Sequence, residues 1–225
     1  MLKNKMKLII SCDGDGASGK TTGAKLISKK YKLNFLSSGL LYRYASYLLI
    51  KYAPKNKIHF LKKKFNNLNY KKITKINLQS ENINLLVAEV AKQKKIRDIL
   101  KKYQINFAKR FNKVCIEGRD ISYAILPAAD VKFFFKCNLN VASRRRWKEL
   151  KKIHKDIKFK KVKKSLKIRN FIDKNRKHNP LKKVADAVLI RTDILNKKAM
   201  VTKMSKEIDR KLLLKYGRNF KARKR

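Results

Sequence analysis

Gly14-Asp15-Gly16-Ala17-Ser18-Gly19-Lys20-Thr21 stands directly after an apolar run, Lys7 to Cys12 (KLIISC), and directly before a segment of helical periodicity, Thr21 to Tyr31. A buried strand, a glycine-rich turn and a helix in that order satisfy GxxxxGK[ST] in spacing and in flanking structure. The glycines allow successive backbone N–H groups to point inward around a phosphate, and the following helix adds its N-terminal partial positive charge. Lys20 then supplies a point charge to β- and γ-phosphates, the Thr21 hydroxyl is a candidate Mg2+ ligand, and Thr22 extends the ATP-binding set. The loop is expected to face solvent in the absence of nucleotide. Asp15 is the oddity, since phosphate repels a carboxylate there unless the side chain turns outward.

Outward from that loop, Leu33 to Leu36 reads as a second short strand ending at Ser37-Ser38-Gly39, and Leu40 to Tyr52 resumes helical spacing. Residues 53–79 lose the pattern at Pro54, in a lysine-rich stretch and at Asn66-Asn67, which suggests an insertion. Ser80 starts a helix whose apolar spacing runs on through Leu86, Val90, Ile96, Leu100 and Phe107. Val114–Ile116 and Val131–Phe135 are unbroken apolar strands, the pattern of a parallel sheet covered on both faces. A basic helix from Asn140 to Ile153 leads into Lys151–Lys164, which is dense in lysine and reads as a mobile connection. A helix with Arg169, Asp173 and Arg176 follows, then a strand at Ala187–Ile190 and a helix from Leu195 to Leu214. The alternation of strand and helix predicts an α/β, doubly wound parallel sheet in a single domain.

Composition limits the rest. A chain of 225 residues, 44% of them hydrophobic, suffices for one core. Its apolar run near the start falls far short of the about 20 residues of a membrane span, which points to a cytoplasmic protein with no membrane partner. Cys12, Cys115 and Cys137 lack metal-ligand spacing and read as reduced structural thiols. His59, His154 and His178 lie in lysine-rich stretches and read as solvated. The net charge of +47 taken alone favours a polyanionic partner. Because lysine is spread from Lys3 to Lys224, a biased but ordinary enzyme surface explains it too. Weak, non-specific nucleic-acid association is the additional expectation, with the basic tail 215–225 as its candidate and a frayed terminus as the alternative.

The order of elements also carries a resemblance. Cys12-Asp13-Gly14 with the loop, Ser38-Gly39-Leu40-Leu41-Tyr42-Arg43, Ile96-Arg97, Glu117-Gly118-Arg119-Asp120-Ile121, Arg169 with Asp173 and Arg176, Pro180-Leu181 and Ala185-Asp186-Ala187 follow one another as in the bacterial cytidylate kinases, a family of P-loop nucleoside monophosphate kinases. The chain resembles that family over nearly its whole length. The resemblance implies a monomeric (d)CMP kinase using ATP and Mg2+, with 53–79 as the insertion on the monophosphate side and 151–164 as a basic lid. It implies that Arg43, Arg119 and Arg169 clamp the acceptor α-phosphate, where three planar guanidiniums suit the oxygens. Arg169 also touches the ribose. Asp173 then corresponds to the ribose-hydroxyl contact, and Ser38, Arg97 and Asp120 to the cytosine-reading set. Arg145 and Arg146 open the lid over ATP, and Arg176 is directed at the phosphates. The chain departs from the family pattern in having Ser37 where Asp is common, Ser122-Tyr123 where Gly-Thr is common, Ala88 for a base-reading serine, and Gln79-Ser80 at the insertion boundary. These departures touch base preference and leave the transfer machinery intact. Another small acceptor, such as UMP, AMP or an alcohol, is one alternative, and a nucleic-acid-binding NTPase is the other.

Overall fold

The computed structural model describes residues 6–152 and 155–217. The chain divides into two compact units, Met1–Phe35 with Asn112–Arg225, and Leu36–Phe111.

The first unit is built on β1 (Leu8–Gly14), α1 (Lys20–Tyr31), β2 (Asn34–Ser37, which runs across the boundary), β3 (Lys113–Gly118) and β4 (Val131–Lys136), followed by β5 (Val188–Arg191). The strand order is β2-β3-β1-β4-β5. β1 pairs in parallel with β3 from Leu8↔Lys113 to Asp13↔Gly118, and with β4 from Ile10↔Val131 to Gly14↔Phe135. β5 joins β4 in parallel, Phe133↔Val188 to Lys136↔Arg191. All of β1 but Ile9 is buried, which is why KLIISC carries no alternation. The core places Leu8, Ile10, Phe133, Phe135 and Ile190 against Ala24 and Ile27 of α1. Met200, Met204, Ile208 and Leu212 of the C-terminal helix α9 (Lys197–Tyr216) close the same core.

The chain starts at central β1, fills β2 and β3 on one side and then crosses to β4 and β5, so connectivity reverses at β1. In open α/β sheets, ligands bind outside the strand C-termini at such a reversal. β1 ends there at Gly14, whose φ is 151° and where a Cβ would lie 2.2 Å from the Phe135 carbonyl oxygen. Glycine is required at that point by the neighbouring strand as well as by the turn.

The remaining elements of this unit are a π-helical turn at Ile121–Ile125, α7 (Leu139–Lys151) and α8 (Phe159–Asn175), which packs on α7. The stretch 151–164 is therefore helical from Phe159, where the sequence suggested an irregular connection. Phe159 stacks edge-on against Trp147, and the Trp147 indole N–H donates to the Ile157 carbonyl at 2.8 Å.

The second unit is helical: α2 (Ser38–Tyr52), α3 (Lys57–Asn66), α4 (Tyr70–Ile73), α5 (Glu81–Lys92) and α6 (Lys94–Arg110). Residues 53–79, whose pattern was broken, hold two helices. Asn56 and Asn69 cap them by accepting from the His59 and Lys71 backbone N–H groups, each at 3.0 Å. Leu61, Phe65 and Ile73 are their buried anchors among exposed lysines. The single apolar series from Ser80 to Phe107 breaks into two helices at Gln93, whose backbone is extended (φ −77°, ψ 110°). Arg97 donates to the Ala91 carbonyl at 3.2 Å, taking up an acceptor that the break releases.

Candidate active site

Gly19 caps α1 in the left-handed region (φ 75°) with no side-chain oxygen on the first-turn N–H groups, which leaves donors for an external anion. Ala17 is also left-handed (φ 52°), a conformation costing a non-glycine residue about 1 kcal/mol. It is held by packing beside Cys137, Ala142 and Leu166.

Lys20 is 6% exposed, which corrects the expectation of a solvent-facing loop. Its Nζ lies 3.5 Å from the Asp15 carbonyl oxygen and 3.6 Å from Glu117 Oε2. The fold turns the lysine inward because β3 ends beside β1 and presents Glu117 there (Cys12↔Glu117). Burial, and then the Arg119 guanidinium, lower its pKa to about 8, against the pull of Glu117.

A second carboxylate sets the neighbouring turn. Asp13 Oδ1 accepts from Ile121 N at 2.9 Å, and its Oδ2 accepts from Ser122 N at 2.7 Å and Ser122 Oγ at 2.5 Å. Burial raises the Asp13 pKa, which these hydrogen bonds oppose. The pin fixes the end of β3 and hence Arg119 and Asp120. Ser122, one of the departures from the family pattern, is thus part of the pin and also lies 3.0 Å from Ser11 Oγ. Tyr123, the other, donates through its hydroxyl to the Pro180 carbonyl.

Arg119 Nε meets Asp173 Oδ2 at 2.8 Å. Arg176 stands 3.6 Å from both Asp173 and Asp120, and its Nε donates to the Asn179 carbonyl at 2.7 Å. Burial alone would raise the Asp173 pKa, yet Arg119, Arg169 and Arg176 hold it below the ordinary carboxylate value. Arg169 acts electrostatically on Lys20 as well as on Asp173. Within this unit, then, Lys20, Arg119, Asp120, Arg169, Asp173 and Arg176 form one charged cluster beside the loop.

Helix α8 also touches the loop directly. Asn170 Oδ1 accepts from Gly16 N at 2.8 Å, and Lys174 Nζ pairs with Asp15 Oδ1 at 3.1 Å. The odd carboxylate of the loop is thereby compensated. A Cβ on Gly16 would meet Leu166 at 2.7 Å, so a glycine is needed for α8 to sit this close. On the other flank, Thr192 Oγ1 donates to the Ser18 carbonyl at 2.9 Å, and Arg145 donates to Thr192 Oγ1 at 3.1 Å and to its carbonyl at 2.7 Å. Arg145 is so tied to the loop's neighbour, whereas Arg146 pairs with Glu149 on its own helix at 3.1 Å.

In the second unit, Ser38 is buried at the start of α2. Arg43 Nη1 donates to the Leu78 carbonyl at 2.9 Å and to Asn84 Oδ1 at 2.5 Å. Buried Arg97 lies with its guanidinium 5.7 Å from the Tyr42 ring centroid. Ser37 caps α2 by accepting from Leu40 N, a role that serine and aspartate share. Ser80 likewise caps α5, while Ala88 is exposed on that helix.

Sequence reasoning gave no role to Glu117, Asp13, Asn170, Lys174 or Thr192. Asp13 and Glu117 could have been suspected as carboxylates ending apolar strands. Asn170 and Lys174 share a helix with Arg169 at i, i+4 spacing, which places both on one face.

Arg218–Arg225, most of the basic tail, lie outside the described residues. Lys215 pairs with Asp130 at 2.6 Å. Cys12, Cys115 and Cys137 are free and buried. Among the described residues, no helix is long and apolar enough to cross a membrane.

The family model described as cytidylate kinase matches residues 10–210. A cytidylate kinase of Clostridium tetani is 31% identical over 224 residues, covering 95% of this chain and 99% of that protein. One of Clostridium botulinum is 33% identical over 211 residues, 88% and 96% of the two chains, and one of Fusobacterium nucleatum is 32% identical over 218, 90% and 98%. Among solved structures, TT1252 from Thermus thermophilus superposes with a TM-score of 0.51 at 13% identity, over 92% of this chain and 99% of that one, a likeness of fold.

Proposed function

The chain belongs to the cytidylate kinase family, and from this premise we infer that it is an ATP-dependent nucleoside monophosphate kinase transferring the γ-phosphate of ATP to CMP or dCMP. The observation that carries the reading is the family match itself, which spans every proposed site residue from Gly14 to Arg176. ADP and CDP or dCDP are the products.

In the proposed reaction an oxygen of the acceptor phosphate forms a bond to the γ-phosphorus as the bond to the bridging oxygen of ADP breaks. That oxygen is already ionised at neutral pH, so catalysis consists of positioning and charge stabilisation, with no protein nucleophile. Lys20 holds the β- and γ-phosphates, and Arg43, Arg119 and Arg169 bind the acceptor phosphate, with Arg176 behind them. Asp173 accepts from the ribose, while Ser38, Arg97 and Asp120 read the base. Arg145 lines the ATP side through Thr192, Arg146 lies one residue further on α7, and 151–164 closes as the lid that excludes water. Support comes from the cluster of Lys20, Arg119, Arg169, Asp173 and Arg176 beside the loop.

The donor set fits Mg2+. This ion keeps most of its waters and is held by one or two protein oxygens together with substrate phosphates. Exposed Thr21, on the first turn of α1, offers such an oxygen. Among the described residues, no cluster of three or more His, Cys, Asp and Glu could replace the phosphates as ligands. When bound, the ion neutralises charge on the transferring phosphates.

The test is ATP consumption against CMP, dCMP, UMP, AMP and no acceptor. Turnover highest with CMP or dCMP is expected. Highest turnover with UMP or AMP would move the assignment to another acceptor, and stimulation by RNA but by no monophosphate would overturn it.

A further inference from the structure

The second unit carries a groove that the kinase chemistry leaves unused. It occupies about 880 Å³ between α3 and α6, two helices that pack on one another. Its rim is formed by Lys62 and Lys63 from α3 and by Lys95, Lys102 and Arg110 from α6, with Asp98 as its carboxylate. All five cations are exposed. No ion pair among the described residues engages them, in contrast to Lys92, which pairs with Glu89 at 2.9 Å on the neighbouring helix.

The floor is aromatic. Phe65, Tyr103 and Phe107 line the groove, the first buried and the others half-buried. Phe65 and Tyr103 meet edge-on with centroids 6.0 Å apart, and Phe107 meets Tyr70 at 5.9 Å. The Tyr103 hydroxyl donates to the Leu68 carbonyl at 3.1 Å, which fixes the ring. Half-buried Tyr103 and Phe107, backed by buried Phe65 and flanked by cations, make the arrangement that binds single strands: the cations follow the phosphates while unpaired bases lie on the two accessible rings. A duplex turns its bases inward and offers no face for the floor. A flat lipid surface does not enter a concave groove.

We propose that the α3–α6 groove is a binding site for single-stranded nucleic acid, separate from the nucleotide chemistry of the loop. The lysine excess of the chain is then not uniform in effect, because here it is joined to a lined, aromatic concavity.

The experiment uses the full chain and a fluorescently labelled oligouridylate of twelve nucleotides, with anisotropy read over a salt series. One variant combines Lys62→Glu, Lys95→Glu and Lys102→Glu. A control of equal charge change combines Lys198→Glu, Lys203→Glu and Lys206→Glu on α9, all exposed. The groove variant should bind at least ~10-fold more weakly, and its slope of log affinity against log salt should fall by about 2, since each lost single-strand phosphate contact removes about 0.7. The control should change less than ~3-fold. Both variants should keep wild-type ATP turnover with CMP, which shows that they fold. Ultraviolet crosslinks should map to peptides of α3 and α6. Equal weakening in the two variants, or none in the groove variant, would overturn the proposal. So would absence of binding by the wild type, tighter binding to the matching duplex, or groove-dependent capture by phosphatidylserine vesicles without oligonucleotide binding.

Discussion

The two units hold their arginines by different means. Beside the loop, Arg119 and Arg176 are neutralised by carboxylates, Asp173 at 2.8 and 3.6 Å and Asp120 at 3.6 Å. In the helical unit, Arg43 donates to the Leu78 carbonyl and the Asn84 amide oxygen, and Arg97 donates to the Ala91 carbonyl beside the Tyr42 ring. A neutral acceptor fixes a guanidinium without cancelling its charge, whereas a carboxylate fixes it and competes with phosphate for it. The first unit is thus preorganised by its carboxylates, and in the second, backbone carbonyls and an amide take part in holding the arginines.

The largest expected effect tests whether the compensated side does the chemistry. Lys20→Ala should lower kcat by about 10³-fold, the upper range for losing one preorganised donor to developing charge. Because Lys20 is buried against Glu117, the variant also takes one cation away from that carboxylate. Circular dichroism and thermal melting should therefore show a native fold with a lowered Tm. Retention of most activity would remove Lys20 from phosphoryl transfer.

The comparison itself is sharpened by truncating one arginine on each side. Arg119→Ala and Arg43→Ala should each cost about 10²-fold in kcat/KM if both touch transferring phosphate. Their stabilities should part. Arg119→Ala takes the nearest cation from Asp173, leaving Arg176 at 3.6 Å, and should destabilise by about 2 kcal/mol, while Arg43→Ala removes its hydrogen bonds to the Leu78 carbonyl and Asn84 and should cost about 1 kcal/mol. Urea denaturation measures both, and equal losses would break the contrast.

A pH series addresses the same contrast without mutation. Lys20 is held at about 8, below its ordinary 10.5, so its charge leaves the free enzyme as pH rises past 8. kcat/KM for ATP should then fall by up to ~10-fold per pH unit above that value. Stability moves the other way. The unfolded lysine keeps its proton up to about 10.5, so between 8 and 10.5 the unfolded state binds more protons and this group's contribution to stability rises with pH. A flat kcat/KM from pH 7 to 9.5 would mean that Lys20 keeps its proton in the free enzyme over that range.

How much was legible follows from how local each signal is. The strand, loop and helix of residues 8–31 were readable because spacing and flanking pattern sit within one stretch. The Ser80 start of α5 was readable from its cap. Helices α3 and α4 were not, because lysines outnumber Leu61, Phe65 and Ile73 and dilute the amphipathic period. Nor was the break at Gln93, since apolar spacing continues across it. The contacts of the loop were beyond reach for another reason. Gly16 and Asn170, or Ser18 and Thr192, are 154 and 174 residues apart and meet only through the sheet and the packing of α8.

The smallest expected effect decides what Asp120 does. The family resemblance puts it beside cytosine, where a carboxylate is the acceptor for the N4 amino donor. The structure gives it a different visible task, an ion pair with Arg176 at 3.6 Å in a site where both side chains are nearly buried. If it reads the base, UMP sets a carbonyl against that acceptor. An unsatisfied buried polar group costs ~1 to 3 kcal/mol, so discrimination against UMP should be at least ~10-fold in kcat/KM. Asp120→Asn should then narrow the CMP to UMP ratio to about threefold, because the amide can turn its N–H toward the uracil carbonyl. If Asp120 acts only through Arg176, the same substitution weakens the hold on a phosphate-directed arginine. In that case CMP and UMP turnover fall alike and the ratio stands. Measuring kcat/KM for both substrates in both proteins separates the two, and Arg176→Lys supplies the reference for a change confined to the phosphate side. A ratio that moves with Asp120→Asn but not with Arg176→Lys assigns base reading to the carboxylate. A ratio unmoved by either leaves base selection to Ser38 and Arg97 of the helical unit.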